Sequence, residues 1–147
     1  MRFRTNDTCH QMPITDYGPE PFIVNIDQAA LQNTNYRTAM WTGSNLQLTL
    51  MSIPAGGEIG LEVHPDTDQF IRIESGNGIA MMGPSKCCLN VQCPVYSGYA
   101  VFVPAGTWHN IVNTGKQPLK IYTIYAPPHH PHGTVQKTKA QADLEEH

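Results

Sequence analysis

The 147-residue chain reads as an all-β domain. Three observations predict this. About ten short runs rich in Val, Ile, Tyr, Phe and Thr are separated by Gly, Pro, Asn and Asp turn signals. Residues 46–50 alternate strictly between apolar and polar, which is the period of a strand with two unlike faces. No long helical period appears before the end of the chain. Such a rhythm indicates an antiparallel sandwich or barrel, and a chain of this length makes one domain with a real core.

Taken in order, residues 1–21 are polar and broken by Pro13, Gly18, Pro19 and Pro21, so they read as an arm. A short strand is expected at 22–26, then one helical turn at 27–32 capped by Asp27. The run 36–41 turns at 42–45 into 46–50, where Gln47 and Thr49 share one face and Leu46, Leu48 and Leu50 the other. That polar face is a substrate wall if it looks inward and merely wetted if it looks out. Residues 54–57 turn the chain into a strand carrying Glu62 and His64. Further strands are expected at 69–74, 79–82, 87–92, 99–103, 107–113 and 119–125, with 94–98 as a loop. The proline-rich stretch 126–133 cannot be regular structure. A helix over 138–146, capped by Thr138, closes the chain. The expected organisation is an arm (1–21), a β-domain (22–126) and a His/Pro-rich tail with a short helix (127–147).

Composition narrows the partners. The net charge of −3 with scattered Lys and Arg offers no basic stripe for nucleic acid. The first residues lack the apolar segment of a secretion signal, and no run is long enough to cross a bilayer, so a cytoplasmic protein without nucleic-acid or membrane partners is expected. Cys9, Cys87, Cys88 and Cys93 form no Cys-x-x-Cys pair, and neighbours on a strand point to opposite faces, so they are read as ordinary thiols. Phosphate-cradling Gly loops, the Gly-x-Ser-x-Gly elbow and a dinucleotide fingerprint are all missing from the sequence.

Chemistry concentrates in two stretches. In an extended strand Glu62 and His64 lie on one face, and a hairpin through the turn at 65–68 carries Gln69 back beside them. Far downstream, His109 offers another imidazole on a second strand. A carboxylate, two imidazoles and an amide oxygen suit a divalent transition metal. The plain alternative makes Glu62 a solvated carboxylate and His64 a hydrogen-bonded core histidine.

The two stretches together resemble the paired motifs of the cupin superfamily. Gly56, five residues, Glu62-x-His64, four residues, Gln69, six residues and Gly76 keep the spacing of the first motif. Gly98, five residues, Pro104-x-Gly106, two residues, His109, three residues and Asn113 match the second. The resemblance implies a cupin-type jelly-roll β-barrel holding one divalent transition metal per chain, with Fe, Mn, Zn and Ni all open, through Glu62, His64, Gln69 and His109. Here Glu replaces the usual first His and Gln the usual Glu, so the carboxylate has moved between ligand positions while the charge given to the metal is unchanged. Glu62, His64 and His109 make a two-His, one-carboxylate set with coordination positions left for substrate. Gln69 is expected as a weak fourth ligand or as a holder of bound water.

Three functions fit this set. One is a metal-dependent isomerase or epimerase of a small polar substrate, of the sugar or sugar-phosphate class by resemblance, in which the ion acts as a Lewis acid on a carbonyl. The second is an Fe(II)-dependent dioxygenase, and the third a non-catalytic small-molecule binder. Arg37, Trp41, Gln47 and Tyr122 are candidate pocket residues, with Tyr122 or the tail residue His130 as a base. The tract His129-His130-Pro131-His132 is expected as an exposed, proline-stiffened loop rather than a metal-binding or mouth-closing segment. Arg72 reads as a solvated charge. A homodimer is expected, because open sheet edges need covering and the arm before Phe22 has the reach to add a strand to a partner.

Overall fold

The computed structural model describes residues 12–145. Among the described residues, nine strands and two short helices follow the order α1 (Ile26–Gln32), β1 (Arg37–Thr42), β2 (Gln47–Ile53), β3 (Asp68–Ser75), β4 (Asn77–Gly83), β5 (Val91–Tyr96), β6 (Ala100–Val103), β7 (Trp108–Asn113), β8 (Leu119–Ala126), β9 (Val135–Gln136) and α2 (Lys139–Glu145). They form a six-stranded sheet in the order β6-β3-β8-β2-β1-β9 and a three-stranded sheet in the order β5-β4-β7. All pairings are antiparallel. The arrangement is jelly-roll-like, but the expected closed barrel does not form: two separate sheets face one another instead.

Between the sheets lies a core of Met51, Ile53, Ile59, Ile71, Ile73, Ile111, Leu119 and Ile121. The large sheet is buried on its other face as well. There Met40, Leu48, Leu50 and Tyr122 pack beneath Ala29 and Ala30 of α1, with Met12, Ile14, Tyr17, Phe22 and Val24 of the N-terminal segment laid over them. Those side chains of the segment are partly buried, so each contributes a share of the roughly 1.5–3 kcal/mol of a fully buried one, and together they favour folding the segment back on its own sheet. The part of the expected arm before Met12 lies outside the described residues.

Several local readings need correction. No strand forms at 22–26. The helix starts one residue earlier than expected because Asn25, not Asp27, is the cap: its side chain accepts from the Gln28 amide at 3.1 Å. Asp27 sits in the first turn, where a carboxylate complements the helix dipole. Residues 87 and 88 belong to a turn, and the strand runs through Pro94 instead of stopping before it. Proline is tolerated there because β5 is an edge strand, paired only with β4. The two-residue β9, paired with Arg37 and Thr38, was not foreseen. Thr138 caps α2 as expected, its hydroxyl accepting from the Gln141 amide at 3.1 Å. Gly76 separates β3 from β4 at φ +100°, and a Cβ there would meet the Pro118 carbonyl at 2.9 Å, so both backbone angle and space demand glycine. Among the described residues, no helix is long and apolar enough to cross a membrane.

Candidate metal centre

The segment carrying Glu62 and His64 is not a regular strand. It runs beside β7 and is held by single bridges, Glu58 to Val112 and Glu62 to His109. The backbone bonds reveal its register. The Asn113 amide donates to Gly57 and the Ile59 amide to Ile111, but two residues further on Glu62 and His109 exchange both bonds, at 3.0 and 2.9 Å. One extra residue has therefore been inserted around Gly60 (φ +101°) and Leu61, a β-bulge. Its effect is to swap faces. Ile59 points into the core, half-exposed Leu61 is turned out, and Glu62 is brought directly opposite His109 on the inner side. The Gly60 amide donates to Asn110 Oδ1 at 2.9 Å and the Gly106 amide to the His64 carbonyl at 2.8 Å. The turn of the second motif thus pins the ligand-bearing segment of the first.

The result is a tight group. One donor atom each from Glu62, His64 and His109 lies within 4.8 Å of the others. Glu62 Oε1 is 3.4 Å from His64 Nε2 and 3.7 Å from His109 Nε2. His109 Nδ1 lies 3.0 Å from the Thr107 carbonyl. A carbonyl can only accept, so Nδ1 carries the proton and Nε2 presents its lone pair inward. Both Nε2 atoms are buried with no hydrogen-bond partner. Lone pairs converging on a carboxylate oxygen are unfavourable unless a positive charge stands among them, so the donor set fits a divalent cation. Positive charge at that spot is also what would hold the Glu62 carboxyl, which burial works to raise, far below the usual carboxylate range: imidazoles that carry and donate a proton have this effect, and a cation in their place has the same sign.

Gln69, buried on β3, is paired with Tyr125, whose ring centroid is 5.7 Å from that of His64. Gln69 Nε2 donates to Thr123 Oγ1 at 3.3 Å, which leaves the side-chain carbonyl as the unused end, buried and without a partner. That carbonyl is the only group Gln69 has left to offer a cation.

The other sequence candidates separate by sheet face. Arg37 is buried on the inner side, donates to Gln136 Oε1 at 2.6 Å, and lines a cleft of ≈ 480 Å³ together with Tyr36, Glu58, Glu62, Lys139 and Asp143. Tyr122 and Trp41 are corrected: both lie on the outer face, in the cluster beneath α1 and the N-terminal segment, and Trp41 Nε1 donates to the Glu20 carbonyl at 2.7 Å. Neither lines the metal centre. Arg72 is paired with Glu74 at 3.4 Å rather than simply solvated.

Gln47 looks inward but is engaged with the tail. Its Oε1 accepts from the His129 and His130 amides at 3.1 and 2.9 Å, and its Nε2 donates to the His130 carbonyl at 2.8 Å. The tail is the irregular loop expected, with His129, Pro131 and His132 exposed, but it is anchored rather than free, because His130 is buried. His130 is buried edge-on to Tyr125, and the His129 ring centroid is 4.1 Å from that of His64. Asp16 anchors the tail further along, accepting from the Gly133 amide at 2.9 Å and from Thr42 Oγ1 at 2.6 Å.

The model of the Cupin domain family matches residues 49–125. Uncharacterized protein YrkC of Bacillus subtilis (strain 168) is 60% identical over 129 residues, 88% of this chain and 69% of that protein. Uncharacterized protein L612 of Acanthamoeba polyphaga mimivirus is 40% identical over 122 residues, 82% of this chain and 74% of that protein. The crystal structure of BH2720 from Bacillus halodurans superimposes with a TM-score of 0.88 at 55% identity, covering 89% of this chain and 99% of that one.

Proposed function

The chain belongs to the cupin family, and on that footing we propose that it is a metal-dependent enzyme of isomerase or epimerase type acting on a small polar molecule. The observation that carries this reading is the convergence of Glu62, His64 and His109 donor atoms within 4.8 Å of one another. Glu62 would contribute the only negative charge, so a divalent ion of the Fe, Mn, Zn or Ni group held by this set stays net positive. Such an ion, when bound, supplies Lewis acidity toward a carbonyl or hydroxyl oxygen of the substrate.

The protein's own part is to orient and to exclude. His64 and His109 are 6% and 2% exposed and Glu62 25%, so the carboxylate marks the side from which substrate enters. Arg37 and Tyr36 line that approach, and the His129-His130 segment keeps water from the opposite side. With Tyr122 on the outer face, proton transfer falls to the tail imidazoles, of which His129 stands against His64.

An Fe(II)-dependent dioxygenase is the second reading, supported by the same two-His, one-carboxylate set with places left for oxygen and substrate. Elemental analysis of untreated protein is the first test: one transition ion per chain is expected, and Glu62→Gln should lower occupancy by about tenfold or more, since the single ligand charge is lost. Occupancy unchanged in Glu62→Gln removes the carboxylate from the ligand set. Turnover without oxygen, with Mn, Zn, Ni or Co accepted, distinguishes the isomerase. Strict Fe(II) and oxygen dependence selects the dioxygenase, and ligand affinity with no turnover selects a binder.

Two further proposals accompany this one. The three exposed thiols, Cys87, Cys88 and Cys93, suit a reducing compartment and support placement in the cytoplasm. Edge strand β6, with Phe102 68% exposed, supports pairing with a second copy, and light scattering at high concentration tests it.

A further inference from the structure

We propose that the substrate cleft continues into a second, lysine-lined compartment that holds an anionic end of the substrate, a carboxylate or a phosphate group. The inference rests on the metal-dependent reading above and adds the substrate's charge to it. The cleft beside Glu62 shares Tyr36, Glu58 and Lys139 with an adjoining cavity of ≈ 400 Å³. That cavity is also lined by Lys120 and Lys137, so it gathers three of the chain's five lysines around one carboxylate, Glu58. Lys139 is paired with Asp143 at 3.0 Å and Lys120 Nζ donates to the Asn33 carbonyl, so against Glu58 and Asp143 the three lysines leave a small positive excess, in a protein whose net charge is −3. Glu58 is itself engaged, accepting from Asn110 Nδ2 at 3.2 Å.

The lysines converge from separate elements. Lys120 stands on β8, Lys137 follows β9, and Lys139 opens α2. Lys139 reaches across the bulge: a Cβ on Gly60 would lie 3.3 Å from its Nζ, so the bare glycine makes the room it occupies. Two of the three lie beyond residue 125, where the family match ends. The compartment is therefore completed by the C-terminal extension that β9 ties to Arg37 and Thr38. A metal-directed oxygen at one end and a dianion or carboxylate at the other describes a small organic acid or phosphate ester, of a size these volumes admit.

The test is calorimetric titration of the full chain loaded with Mn(II), using glycerol 3-phosphate, malate and neutral glycerol. At least one anion should bind and glycerol should not, and the tighter anion identifies the group recognised. The double variant Lys137→Ala/Lys139→Ala should weaken that anion by about tenfold or more, with manganese content unchanged. The variant Lys86→Ala/Lys116→Ala, which removes the same charge elsewhere, should bind as the parent does. Equal binding by both double variants, or no preference for the anions over glycerol, overturns the compartment while leaving the metal centre standing. If manganese fails to load, the metal reading falls instead, and anion binding lost only in Lys137→Ala/Lys139→Ala still supports the compartment.

Discussion

The metal centre has two unlike sides. Toward the tail it is bounded by a segment anchored through its backbone: Gln47 takes two amides and gives to one carbonyl, and Asp16 takes a third amide beyond them. Toward α2 it is open and lined by long side chains, Arg37, Glu58, Lys139 and Asp143. Main-chain hydrogen bonds fix position at small entropic cost, whereas Lys and Glu side chains keep rotamer freedom until something orders them. The contrast supports the proposed reading, in which one side excludes water and the other recognises substrate.

Removing what both sides share should have the largest effect. His109→Ala should lower metal affinity by about 100-fold or more while the far-ultraviolet circular dichroism stays that of a β-sandwich, because packing holds the sheets. Spectral collapse would instead make His109 a structural residue. Breaking the anchored side comes next. Gln47→Ala strands two amides and a carbonyl in a buried setting, at roughly 1–3 kcal/mol for each group left unpaired. A melting temperature lowered by several degrees and faster metal loss to a chelator are expected, with anion binding on the open side retained. Unchanged chelator kinetics would show that the tail does not seal.

Acid should loosen the same anchorage more gently. Burial works to raise Asp16, but hydrogen bonds from Thr42, Gly133 and Gly18, with His132 beside them, hold its carboxyl below the ordinary value. A depressed carboxylate contributes stability that is complete above the unfolded pKa, about 3.9, and is lost as pH falls through the lower folded value. Tail protection measured by limited proteolysis should decline across that acid window in the parent and be independent of pH there in Asp16→Asn. On the open side, Lys139→Ala removes an i,i+4 pair with Asp143 at 3.0 Å and should change stability by no more than about 0.5 kcal/mol. A larger loss would mean that Lys139 serves the fold and not the cleft.

The sequence showed the open features better than the closed ones. The motif glycines and prolines advertise their turns because few other residues accept those backbone angles, and the ligand letters stand out at fixed spacing. Alternation failed at Tyr122 and Trp41 for a definite reason. Both faces of the large sheet are buried, so an apolar residue there does not disclose which way it points. The tail's anchorage was invisible because Gln47 meets its partners 82 and 83 residues away, and no local pattern encodes such a contact. Pro94 reads as a breaker in the sequence because edge position is a property of the sheet and not of the segment.

The inserted residue near Gly60 has a consequence for how this chain is compared with others. Whether Glu62 looks toward the two imidazoles or into solvent depends on parity, and parity is a matter of counting from Gly57 rather than of which letters occur. A chain with identical ligand residues but one position fewer in that interval would present its carboxylate to the wrong side. Length at this spot is thus part of the site's specification, and an aligner that slides a gap through it would misjudge the chemistry while scoring every ligand as present.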